Sequence, residues 1–136
     1  MSRRRAREYT LQILFQIDFK GREVNSNDFE NFWLDKDESE DVKKFTEDLV
    51  KGTINRLDEI DSRIEKTAEN WVLKRMAAVD RNILRFAAYE ILYRKDIPSA
   101  VTIDEAIEVA KKFSSSEAAS FINGILDRLA KEAGKA

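Results

Sequence analysis

Residues 78–113 read AVDRNILRFAAYEILYRKDIPSAVTIDEAIEVAKKF, and this stretch decides the fold class. Ile83, Leu84, Ala87, Ala88, Ile91 and Leu92 recur every three to four residues, the period of a helix buried along one broad face. Pro98 has no N–H and disfavours helical geometry in the residue before it, so one helix stops there and another begins beyond it. Thr102 followed by Glu105 has the spacing of a capping box for that next helix, which the pattern carries to about Phe113. No segment alternates apolar and polar residues as a half-buried strand would. The class is all-α.

Working outward, the same periodicity predicts a first helix over about residues 3–19. Its stripe of Leu11, Leu14, Phe15, Ile17 and Phe19 faces the core, and it ends before Lys20 and Gly21. A short second helix, capped by Ser26 or Asn27, presents Phe29, Phe32 and Trp33. From Glu38 the series Val42, Phe45, Leu49, Val50, Ile54, Leu57, Ile60 and Ile64 runs unbroken, which predicts one long helix bent at Gly52. Trp71 falls in a connecting turn. Ser114 with Glu117 offers a second capping box for a last helix that buries Ala118, Phe121, Ile122, Ile125 and Leu129. Asn123 and Gly124 sit mid-helix, where glycine costs about 1 kcal/mol relative to alanine. Close helix packing is the favoured compensation, and backbone access for a ligand the alternative. The tail from Ala133 to Ala136 is expected to fray. About six to seven helices fit this pattern.

With 136 residues, 43% of them apolar, the chain is long enough for one domain, residues 1–136, with a core of its own. It contains no Cys and no His. That removes disulfides, thiolate or imidazole zinc sites, the cysteine nucleophile, the Ser-His-Asp triad and the commonest general base near neutral pH. Its four glycines are too dispersed to cradle a phosphate. No acid–base or nucleophile constellation can be assembled, so the expected protein is not an enzyme, and no cofactor or metal is implied. No apolar run approaches the ~18 residues of a membrane span, and the opening segment has no apolar signal core; the expected location is the cytoplasm, with no membrane contact.

The formal net charge of -2 hides an uneven distribution. Arg3, Arg4, Arg5 and Arg7 form a cluster without acids, whereas residues 22–41 carry eight acids and two bases. Four arginines at a helix N-terminus work against the macrodipole, so stability does not ask for them. Guanidinium forks suit phosphate oxygens, which makes RNA a natural partner, although a solvated basic tip is the plainer reading. Tyr9, Phe15 and Phe121 are candidate stacking platforms, with core packing the commoner fate of such residues. The acids around Asp35, Asp37, Glu38, Glu40 and Asp41 fit a solvated linker and helix start better than a magnesium site. Asp80, Arg81 and Arg85 are expected on the surface; the like-charged Arg81 and Arg85 call for an acidic partner on another helix or another protein.

Taken together, RRRAREYTLQILFQIDF near the N-terminus, the central VDRNILRFAAYEILYRKDIPSAVTIDEAIEVAKKF and the terminal FINGILDRLAKE resemble the NusB family of bacterial transcription antitermination factors. The resemblance runs in order over essentially the whole chain. It implies two small helical bundles, no enzymatic activity, and joint binding with the ribosomal protein NusE to boxA RNA within a processive RNA polymerase antitermination complex. By the same resemblance, Arg3, Arg4, Arg5 and Arg7, with Glu117, Ser120 and Phe121 at the last helix, are the expected RNA contacts. Phe15 and Asp80 are the expected NusE contacts. Ser114 stands where some relatives have Gly, and Ser120 where a Lys occurs, which removes one phosphate contact. Asp80 replaces a Glu, with the same charge on a shorter arm. Some members form a homodimer that covers the RNA surface. The alternative is a NusB-like scaffold that makes protein contacts only.

Overall fold

The computed structural model of the chain describes residues 2–21, 23–69 and 72–135. Among them are seven α-helices and no strand: α1 (Ser2–Lys20), α2 (Ser26–Trp33), α3 (Glu40–Asn55), α4 (Leu57–Ala68), α5 (Ala78–Tyr93), α6 (Ser99–Phe113) and α7 (Ser116–Glu132). A short 3-10 turn spans Leu73–Arg75. Trp71 lies outside the described residues. The helices form two small bundles, α1 to α3 and α4 to α7, joined where α5 packs on α1 and α3 and where α1 meets α6.

The architecture follows from the composition of α5. Ile83, Leu84, Phe86, Ala87 and Ala88 are all completely buried, so this helix has apolar atoms on most of its circumference. A helix of that kind is covered only from several sides, and α1, α3, α4, α6 and α7 all pack against it. Each such side chain taken from water contributes roughly 1.5–3 kcal/mol for residues the size of Ile or Phe. A smaller apolar cluster of Ala6, Val42, Phe45, Leu49 and Ile97 seats the N-terminal turns of α1 on α3.

The long helix expected from Glu38 is two helices. It breaks at Arg56, which is non-helical (φ -122, ψ 24), and not at Gly52. The apolar spacing hides the break because Leu57, Ile60 and Ile64 are buried as Leu49 and Val50 are, and Ile60 and Ile64 share the main core with Val50. The Arg56 guanidinium lies 4.4 Å from the Tyr93 ring centre, holding the corner against the end of α5. Gly52 instead permits a close approach between helices, because a Cβ there would run into the Tyr89 ring.

The caps also shift. Asn25, rather than Ser26 or Asn27, forms a full capping box with Asp28. Helix α6 starts at Ser99 behind Pro98, and α7 is capped by Ser115, whose hydroxyl accepts from the Ala118 N–H at 3.0 Å. Neither proposed box, Thr102–Glu105 or Ser114–Glu117, forms. Phe19, expected in the core, is 72% exposed, while Ala118 and Phe121 are half-buried. Lys135 is tied down: its ammonium donates to the Glu90 and Arg94 carbonyls at 3.1 and 2.8 Å. Thus the tail is anchored through Lys135, and Ala136 lies outside the described residues.

Candidate nucleic-acid interface

The four N-terminal arginines divide according to the face of α1 they occupy. Arg7 points inward and is 2% exposed. Its Nε and Nη2 donate to the two carboxylate oxygens of fully buried Glu90 at 2.8 and 2.7 Å, and the Thr102 hydroxyl donates to the same carboxylate at 2.8 Å. Two expectations fail here. The cluster is not dispensable for stability, and Arg7 is not presented to a phosphate, because it neutralises a buried carboxylate that would otherwise be costly.

Arg4 and Arg5 point outward to opposite flanks of α1. Arg4 grips Glu105 on α6 through Nε and Nη2 at 3.0 and 2.7 Å. Arg5 grips Glu38, ahead of α3, at 2.7 and 3.1 Å. Tyr9 donates its hydroxyl to the same Glu38 at 2.7 Å, and its ring meets Phe32 and Trp33 edge-on, so it is a packing residue rather than an open platform. The hydrogen bonds from Arg5 and Tyr9 hold the Glu38 carboxyl below the usual range, and Arg4 does the same for Glu105. Arg3 lies over the Phe45 ring at 4.4 Å and has no ion pair among the described residues.

Helix α6 connects this tip to the start of α7. Arg4 meets Glu105, Glu8 meets Lys112 at 3.0 Å, and Phe113 and the Ser115 cap follow directly. From Glu105 to Lys112 is about 10 Å along a helix axis. Beyond the cap, Glu117 and Ser120 are exposed and Phe121 is half-buried. Gly124 is exposed too, and a Cβ there would meet nothing, so the packing explanation for this glycine fails.

At the other end of α1, Asp18 accepts from Arg81 Nε at 2.9 Å and from the Asn82 amide at 3.0 Å. Arg85 is buried and pairs side-on with Asp61 of α4, both bonds at 2.9 Å. The expectation that Arg81 and Arg85 are exposed therefore fails, and the acids that reconcile them come from α1 and α4. Burial alone would raise the Asp18 carboxyl; the Arg81 and Asn82 hydrogen bonds and the Arg85 charge outweigh it and bring the group below its usual value. Asp80 is left over. One of its carboxylate oxygens is buried with no hydrogen-bond partner among the described residues. Phe15 is half-exposed and stacks edge-on with Phe19 at 5.1 Å.

A family model described as the NusB family matches residues 4–131. The chain belongs to the NusB family. It is similar to the transcription antitermination protein NusB of Thermodesulfovibrio yellowstonii, 49% identical over 97% of this chain and 93% of that one. The solved NusB of T. maritima is 43% identical, with a TM-score of 0.86 over 96% of this chain and 91% of that chain. A crystal structure of the antitermination factors NusB and NusE in complex with dsRNA superposes with a TM-score of 0.86 at 26% identity, covering 96% of this chain and 97% of that one. NusB is a transcription antitermination family and not an enzyme family. Among the described residues no helix is long and apolar enough to cross a membrane, and no group of three or more Asp or Glu side chains is placed to hold a metal ion.

Within this chain the sequence reading missed Glu38 and Glu105 as the partners of Arg5 and Arg4. Their only signal was charge, and each lies far along the chain from its arginine. Exposed Phe19 was also missed, since its spacing matches the core stripe.

Proposed function

We propose that this chain binds boxA-containing RNA together with the ribosomal protein NusE, and that the pair joins a processive RNA polymerase antitermination complex in the cytoplasm, including during rRNA transcription. The observation that carries the reading is the exposed basic tip of α1, with Arg3, Arg4 and Arg5 connected along α6 to the open first turns of α7. Arginine forks there engage phosphates, and Glu117, Ser120 and Phe121 border the strand. With Arg7 committed to Glu90, three arginines remain. For NusE, the half-exposed Phe15 and the incompletely satisfied Asp80 carboxylate supply an apolar contact and a negative charge for a basic protein. A homodimer formed over the same tip competes with RNA in this reading.

The test is fluorescence anisotropy of a boxA-like single-stranded RNA titrated with the chain, with and without NusE, at several salt concentrations and against a scrambled RNA. Selective, NusE-enhanced binding is expected, with a log-log salt slope of about -2 for three phosphates on a single strand. Absence of binding even with NusE leaves the scaffold that contacts proteins alone.

A further inference from the structure

We propose that Glu38 and Glu105 restrain this chain's affinity for RNA, by holding Arg5 and Arg4 in ion pairs that a phosphate must displace. The inference rests on the RNA reading above and concerns residues outside the contacts named there. Each carboxylate spends both oxygens on the Nε and Nη2 donors of its arginine. That side-on fork is one that a phosphate would take in bidentate recognition. Nη1 makes no hydrogen bond among the described residues, but a phosphate bound there sits within a Debye length of the carboxylate and feels its charge. Two of the three exposed arginines are therefore matched one to one by acids, and Arg3 has no ion pair among the described residues.

The positions of the two acids add to the restraint. Glu105 lies on α6 and Glu38 ahead of α3, so neighbouring guanidiniums are drawn to opposite sides of α1. One strand that contacts both must draw them back together. Glu38 cannot simply follow Arg5 outward, because the Tyr9 hydroxyl holds it against α1. Both arginine side chains are about half exposed, at 45% and 52%. The carboxylates beneath them are more covered, at 17% and 7%, but with the guanidiniums in water such a pair fixes side-chain geometry only weakly, so the opposing charge outweighs any benefit of holding the fork in place.

The experiment compares Glu38→Gln, Glu105→Gln and the double variant with the parent, using the boxA-like RNA with NusE present across a salt series. Glutamine keeps an acceptor and removes the charge. Exposed Glu30→Gln on α2 controls for net charge, and circular dichroism checks the fold. Each single variant is expected to bind RNA about two- to fivefold more tightly at low salt, with a steeper salt slope, and the control is expected to match the parent. Weaker binding by folded variants would make the two acids positioning residues and overturn the restraint; unchanged binding would overturn it as well. Should Glu38→Gln fail to fold, Glu105→Gln decides by itself. If the parent binds no RNA, the RNA reading has failed before the restraint is reached.

Discussion

Arg4 and Arg7 sit one turn apart on α1, and each grips a glutamate side-on, at 3.0 and 2.7 Å for Arg4 and 2.8 and 2.7 Å for Arg7. The bonds are alike; the surroundings are opposite. Arg7 and Glu90 lie under the fold, where an unmatched charge is expensive, while Arg4 stands in water that solvates it with or without its partner. The same geometry is thus a structural requirement where the arginine is buried and an exchangeable contact where it is exposed. Two glycines repeat the contrast. Gly52 faces inward, where the Tyr89 ring leaves no room for a Cβ, and Gly124 faces outward, where nothing meets one.

The sharpest attempt to break this comparison is Arg7→Ala. It leaves Glu90 buried and unpaired, and about 3–5 kcal/mol of stability should be lost in urea denaturation. A loss as small as that at a surface residue would end the distinction between the buried and the exposed pair. Asp18→Asn comes next, since it removes a charge that accepts from Arg81 and Asn82 in a partly buried network; about 1.5–3 kcal/mol is expected. The sign of its pH dependence is set by the lowered carboxyl. The folded state binds fewer protons than the unfolded chain, so the contribution is complete above about pH 4 and fades as pH falls through the folded value. The variant should show a shallower acid limb in a stability–pH series, and an unchanged limb would take Asp18 out of the account.

Gly52→Ala should cost about 1–3 kcal/mol, because the Tyr89 ring must move to admit the new methyl. Gly124→Ala should raise stability by about 0.5–1 kcal/mol, from helix propensity in an uncrowded exposed site. Its thermal midpoint is the check, and a fall would mean that the outer face of α7 is not open. At the small end, Arg4→Ala and Arg5→Ala should leave the unfolding midpoint almost unmoved while weakening RNA binding. Separately, Asp80→Lys should weaken NusE binding and spare RNA binding by the isolated chain; equal NusE affinity removes Asp80 from that surface.

Much of the helical pattern was legible. The spacing through residues 78–113, Pro98 as a separator and the Ile122, Ile125 and Leu129 face of the last helix appear in the fold as read, because each depends on neighbours within a turn or two. Arg56 was not legible as a break. A corner that keeps Leu57, Ile60 and Ile64 buried leaves the three-to-four spacing intact, and Arg56 is held by an aromatic ring on another helix. Thr102 and Glu105 matched a capping box by spacing, yet Thr102 turns to Glu90 and Glu105 to Arg4. Tertiary partners there outcompete the local bonds.

The site shows the same division. The basic tip and the family motifs could be read directly, and so could the exclusion of chemistry that needs Cys or His, since residues missing from the chain cannot be supplied by folding. Which arginine is buried could not. Arg3, Arg4, Arg5 and Arg7 are one residue type in one local context, and their fates are set by acids 33, 83 and 101 positions away for Arg5, Arg7 and Arg4. By itself the sequence determined the all-helical class, the family resemblance and the basic end, because helix periodicity and net local charge are properties of adjacent residues. Only the tertiary structure decided which charges are matched and which face water, because burial and pairing across such distances exist only once α1, α5 and α6 have packed together.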